Sequence, residues 1–69
     1  MNTPTVPGIL KNKTCTVVAK DEDGRWWRFP FTWGELTGEP AYLGTTRVDA
    51  IKAAREADTG VPIYVEGAL

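Results

Sequence analysis

Few side chains in this chain could carry out a reaction. It has no histidine, which removes both the commonest general base and the commonest metal ligand. The acidic run Asp21-Glu22-Asp23 is the densest group of oxygen ligands, but a calcium loop needs six or more oxygens, and acids just before a glycine usually serve turn chemistry. Cys15 is the single cysteine. With no histidine to activate it and a strand parity that points it inward, it reads as a small buried hydrophobe. Glu35 and Glu39 stand in the glycine-bearing stretch Gly34–Pro40, where nothing would raise a carboxyl pKa, so they read as solvated loop acids. No glycine-rich phosphate loop is present. The residues therefore predict a non-enzymatic protein with no cofactor, no catalytic group and no metal site.

Recognition chemistry is better represented. The run Arg25–Trp33 (RWWRFPFTW) holds all three tryptophans and both phenylalanines. Its odd positions read Trp27, Phe29, Phe31 and Trp33, and its even positions Trp26, Arg28, Pro30 and Thr32. Alternation of this kind marks a strand with one buried face. If the odd face is core, Trp26 stands on the other side with Arg28, beside Lys20 of the preceding strand and near Arg25. An exposed tryptophan flanked by cations suits a protein hot spot or a sheet-based nucleic-acid reader. Tyr64, and Tyr42 with it, would extend the same surface. The expected partner-binding set is Trp26, Arg28, Lys20, Arg25 and Tyr64.

The elements that must position this set follow from pattern and punctuation. Residues 1–12 carry Pro4, Pro7 and Gly8 without a clear period and read as a flexible N-terminal arm, with Ile9 and Leu10 tucked at the domain edge. Residues 13–69 form a single small α+β domain. Its first strand, Lys13–Lys20, is rich in β-branched residues. A three-residue loop, Glu22-Asp23-Gly24, places Ala19 opposite Trp27, Val17 opposite Phe29 and Cys15 opposite Phe31, which leaves one wholly apolar face; a two-residue loop would set Lys20 and Thr16 on it instead. Pro30 cannot donate to a ladder, so the second strand is expected to end near Phe29, with Phe31 and Trp33 folding over the bottom of the core.

A short third strand, Ala41–Gly44, follows. Thr45 or Thr46 then caps a helix from Arg47 to about Asp58, with Asp49 suited to its first turn. The expected inner stripe is Val48, Ala50, Ile51, Ala54 and Ala57. Gly60 and Pro62 stop the helix, and Val61–Val65 is the last strand. The order β-β-β-α-β, with a right-handed crossover, predicts an antiparallel hairpin sheet ordered 3-2-1-4, the last strand parallel to the first, one helix on one face and the other face wet.

Composition narrows the setting. A net charge of −1 excludes both a polyanionic mimic and a bulk-basic coat. Hydrophobic residues at 42% and charged residues at 25% fit a folded globular chain. An unpaired cysteine, no apolar leader and no apolar run near the ~20 residues of a membrane span point to a soluble, cytoplasmic protein.

The hairpin Asp21–Gly24 leading to Trp27, Phe29-Pro30 at the end of the second strand, Gly44-Thr45-Thr46 with Ala50, Ala54, Glu56 and Ala57, and Gly60 with Pro62 together resemble the HicB-like antitoxin domain over about Thr14–Val65. The acidic residue that family places after Phe-Pro is Phe31 here, the loop from Thr32 to Tyr42 is longer, and no DNA-binding segment follows. The resemblance implies a non-catalytic module that binds a protein and often self-associates. The functional expectation is thus a small interaction or regulatory protein, antitoxin- or inhibitor-like, that binds and modulates another protein and self-associates weakly through its sheet edges. The alternative is a nucleic-acid binder using the face around Trp26, Arg28 and Lys20, with Lys11 and Lys13 on the arm.

Overall fold

The computed structural model describes residues 3–68; Met1 and Asn2 of the expected arm, and Leu69, lie outside the described residues. The chain is a small α+β domain: β1 (Thr14–Lys20), β2 (Trp26–Thr32), β3 (Glu35–Leu36), β4 (Ala41–Gly44), α1 (Arg47–Ala57) and β5 (Ile63–Ala68). The sheet is ordered β3-β2-β1-β5, and β4 pairs with β2 further along the edge that β3 also uses. β5 runs parallel to β1 and the other pairings are antiparallel. No helix among the described residues is long and apolar enough to cross a membrane.

The central hairpin follows the parity argument. Ala19 faces Trp27, Val17 faces Phe29 and Cys15 faces Phe31. The loop is closed by the Asp21 N–H donating to the Arg25 carbonyl at 2.9 Å. Gly24 takes the left-handed conformation there, with φ +82°, which a side chain would resist. The Asp21 carboxylate organises the turn. Its Oδ1 accepts from the Asp23 and Arg25 N–H groups at 2.9 and 3.0 Å, and its Oδ2 from Trp27 Nε1 at 2.8 Å. These bonds, the Trp27 indole first, hold the Asp21 carboxyl below its usual pKa.

Strand β2 does not end at Phe29. It runs through Pro30 to Thr32, because the ladder asks nothing of the proline nitrogen. The Pro30 carbonyl points away from β1 and accepts from the Thr37 N–H at 2.9 Å. A strand residue turns its N and its C=O to the same side, so the missing N–H also faces that edge. There β3 pairs as far as Phe31 and β4 only from Arg28 onward, which leaves a gap at Pro30. The proline thus sits where the edge changes partner.

Both faces of the sheet are covered. On one, α1 packs over Val18 and Trp26, with Ala50 and Ala54 fully buried and Leu43, Ile63 and Val65 against them. On the other, Cys15, Val17, Ala19, Phe29 and Phe31 form a second cluster closed by Val6, with Leu10 and Trp27 packed on it. The face expected to stay wet is therefore the helix face, and the face expected to carry the helix is covered by the N-terminal arm. Thr46 caps α1, its side chain accepting from the Asp49 N–H. The inner stripe is narrower than expected: Ala50 and Ala54 are buried, whereas Ala57 is exposed and Val48 is 77% exposed.

Candidate interaction surface

The expected binding set is divided by the fold. Trp26 is not a surface residue: it is 6% exposed, beneath the helix. The physical reason is the size of its cover. Alanines at 50 and 54 let the helix backbone lie close to the sheet, and the indole fills the space they leave. Lys20 lies on the same face, its Nζ 5.9 Å from the centre of the Trp26 ring, where the cation meets the π face.

Arg28 is bound into the fold as well. Its Nη1 donates to both oxygens of Asp58 at 3.2 Å, and Asp58 also accepts from Thr16 Oγ1 at 3.0 Å. Asp58 is the C-cap of α1, so this cluster ties the end of the helix to the two central strands. A cation at that terminus also suits the helix dipole. Arg25 is exposed in the hairpin loop. Tyr64 pairs with Val17 and so stands on the arm face, opposite Trp26 and Arg28. The five residues do not form one surface: of the three around the alternative nucleic-acid face, Trp26 lies beneath the helix, Arg28 is paired with the helix C-cap Asp58, and half-buried Lys20 stands over the Trp26 ring.

Cys15 is buried, and burial pushes its thiol pKa up, so it stays protonated. Among the described residues no group of histidine, cysteine, aspartate and glutamate is arranged to hold a metal ion.

A different region carries exposed apolar side chains. Trp33, expected in the core, is 69% exposed. It opens the turn between β2 and β3, and both Trp33 (φ +54°) and Gly34 (φ +80°) have positive φ. This is the I′ pattern that joins Thr32 to Glu35, where glycine or asparagine is the usual first residue. Holding a tryptophan there costs on the order of 1 kcal/mol or more.

The arm meets this turn. The Trp33 N–H donates to the Lys13 carbonyl at 3.2 Å, and the Lys11 side chain lies against Gly34, within 3.7 Å of where a β-carbon would stand. Ile9, in the 3-10 turn Gly8–Leu10 just before, is 82% exposed, and Leu36 of β3 is also exposed. Ile9, Trp33 and Leu36, with Lys11 and Lys13, therefore stand on the end of the molecule where β1 begins and β2 finishes. The signal in the sequence was the two-residue Trp33-Gly34 turn between strand residues. It was hidden because tryptophan is not a turn former.

Comparison with models of known protein families, with curated proteins and with solved structures finds no match to this chain.

Proposed function

We propose that this is a small non-enzymatic interaction protein that binds and modulates another protein through the corner built around Trp33. One observation carries the reading: a tryptophan stands 69% exposed on a backbone with φ +54°. A marginal domain gains nothing in stability from an exposed indole on a strained turn, and strain of this kind gathers at working sites. Tryptophan is also the side chain most enriched at the centres of protein interfaces, because it buries much area at little entropy cost. Ile9 and Leu36 are further exposed apolar side chains at the same end of the molecule, and Lys11 and Lys13, which meet the Trp33-Gly34 turn, add exposed cations there. Such a surface is compatible with the antitoxin- or inhibitor-like role implied by the HicB-like resemblance.

A second reading, nucleic-acid binding, is favoured by the same two lysines, since an aromatic ring flanked by cations can stack a base. Salt separates the two: phosphate contacts weaken steeply with ionic strength and apolar contacts do not. The experiment is a pull-down from the source cells with wild type and Trp33→Ala at two salt concentrations, with bound species identified. The expected result is a protein partner held by wild type at both salts and lost by a Trp33→Ala variant that melts like the parent. Equal capture by both proteins overturns the reading.

A further inference from the structure

Strand β5 ends the sheet on the side away from β3 and the Trp33 corner. The Pro62 carbonyl accepts from the Thr16 N–H at 2.9 Å, so Pro62 and Tyr64 turn their main chain toward β1. By strand alternation Ile63 and Val65 turn theirs outward, and among the described residues nothing pairs with them there. Proline is a usual device for blunting a free edge, but the missing N–H of Pro62 faces β1, so the outer edge keeps its donors.

The side chains beside that edge have a definite order. Arg47, Ile51 and Arg55 follow one another at a spacing of one helical turn, and with Val61, Ile63 and Val65 they line an open groove of about 470 Å³. The ion pair found among the described residues joins Arg28 to Asp58, so neither Arg47 nor Arg55 has a carboxylate partner there. The eight-residue rise from Arg47 to Arg55 is about 12 Å at ~1.5 Å per residue. Four residues of extended chain span about 13 Å. A strand laid along β5 would thus bring its first and fifth side chains to the two arginines and its third to Ile51.

We propose that the outer edge of β5 accepts an extended acidic segment of a partner protein as an added strand, its inward side chains running acidic, apolar, acidic along Arg47, Ile51 and Arg55. Main-chain bonds to Ile63 and Val65 supply affinity, and the two guanidinium groups select the sequence. A second copy of this chain is the poorer occupant. Antiparallel pairing of two β5 edges places both helices on the same face, and the arginine rows then confront each other across the seam, like charge against like. This site is separate from the Trp33 corner and does not depend on it.

The test uses the full chain, labelled for amide NMR, and a short synthetic peptide whose alternating core reads glutamate, threonine, valine, threonine, glutamate. The expected result is saturable binding with the largest amide shifts at Ile63 and Val65. Changing both glutamates to glutamine, or making Arg47→Gln with Arg55→Gln in the protein, should weaken binding by about tenfold or more. Both arginines are exposed, so melting should be unchanged, and Trp33→Ala should bind the peptide like wild type. No binding, equal affinity for the glutamine peptide, or shifts centred on the Trp33 turn overturns the proposal. So does concentration-dependent dimerisation of the free protein with protection of the Ile63 and Val65 amides, since the edge is then filled by a second copy.

Discussion

The two faces of the sheet bury similar kinds of side chain under very different covers. The helix face is closed by an element that satisfies its own backbone hydrogen bonds, carries a Thr46 cap and is tied down at its end by Asp58 to Arg28 and Thr16. The arm face is closed by a segment with a single 3-10 turn. Its anchors are the buried Val6, the half-buried Leu10, and an exposed bond from the Thr5 N–H to Glu66 Oε2 at 3.2 Å. The adjacent tryptophans divide between these faces: Trp26 is enclosed under the helix, while Trp27 is only half-buried, with its ring edge-on to Tyr42 at 5.5 Å. A chain this short needs both faces covered, since domains near this size bury only about 60% of their unfolded surface. The two covers differ in how much they contribute by themselves.

The largest expected effect tests that division. Trp26→Ala should cost roughly 3–5 kcal/mol, enough to unfold most of the population, because it empties the space between helix and sheet. Trp27→Ala should cost clearly less, since that indole is partly solvated already and loses mainly its bond to Asp21 and its edge contact with Tyr42. Thermal melts of the two variants rank them. The reverse order would move the helix to the other face.

The arm gives the next effect in size. Val6→Asp puts a charge into an apolar cluster, and the arm should lift rather than bury it, at a cost of about 1.5–3 kcal/mol, the value of one buried aliphatic side chain. The readout is local. Cys15 lies in the cluster Val6 closes, so its thiol should react with a maleimide far faster in Val6→Asp than in wild type, under conditions where the variant is still folded. Unchanged labelling would mean that the arm adds little to that core.

What was legible in the sequence was the pairing, and what was not was the covering. Parity alone fixed Ala19 against Trp27 and Val17 against Phe29, because a one-residue slip moves every side chain to the other face. Parity also separated Trp26 from Trp27, but it cannot say which face the helix takes. Arg28 and Lys20 made the even face look solvent-exposed. Their charges are accommodated by partners far off in sequence or by snorkelling: Asp58 for Arg28, and the Trp26 ring for Lys20. The arm was unreadable for another reason. Val6 stands alone between prolines, with no period to mark it as core. Trp33 departs from the alternation of Trp27, Phe29 and Phe31, because the turn at Gly34 redirects the chain just there.

Acid should reveal a smaller contribution from the hairpin turn. The Asp21 carboxyl is held below its usual pKa by the Trp27 indole and by backbone N–H groups. A depressed folded pKa gives stability that is present above the unfolded value of about 3.9 and lost as pH falls through the folded value. Asp21→Asn should therefore lower the melting temperature near neutral pH and flatten its fall as pH drops through and below the ordinary carboxylate range. Parallel acid titrations of the two proteins that keep a constant offset would show that other carboxylates govern the acid limb.

The smallest effect bears on how little of the helix is needed as cover. Val48 was expected on the inner stripe, where its loss would leave a cavity and cost above about 1 kcal/mol. In the structure it is 77% exposed on the first turn, and Ala50 and Ala54 alone are fully buried. Removing its two methyl groups uncovers no core, and alanine has the better helix propensity, by up to about 0.7 kcal/mol. Val48→Ala should therefore leave the midpoint of urea unfolding unchanged or raise it slightly, with the same slope. A loss comparable to that of an Ala54→Gly change, which combines a buried methyl group with a penalty of about 1 kcal/mol for glycine in a helix, would place Val48 against the sheet. The helix would then be turned from the orientation that lets two alanines seat Trp26.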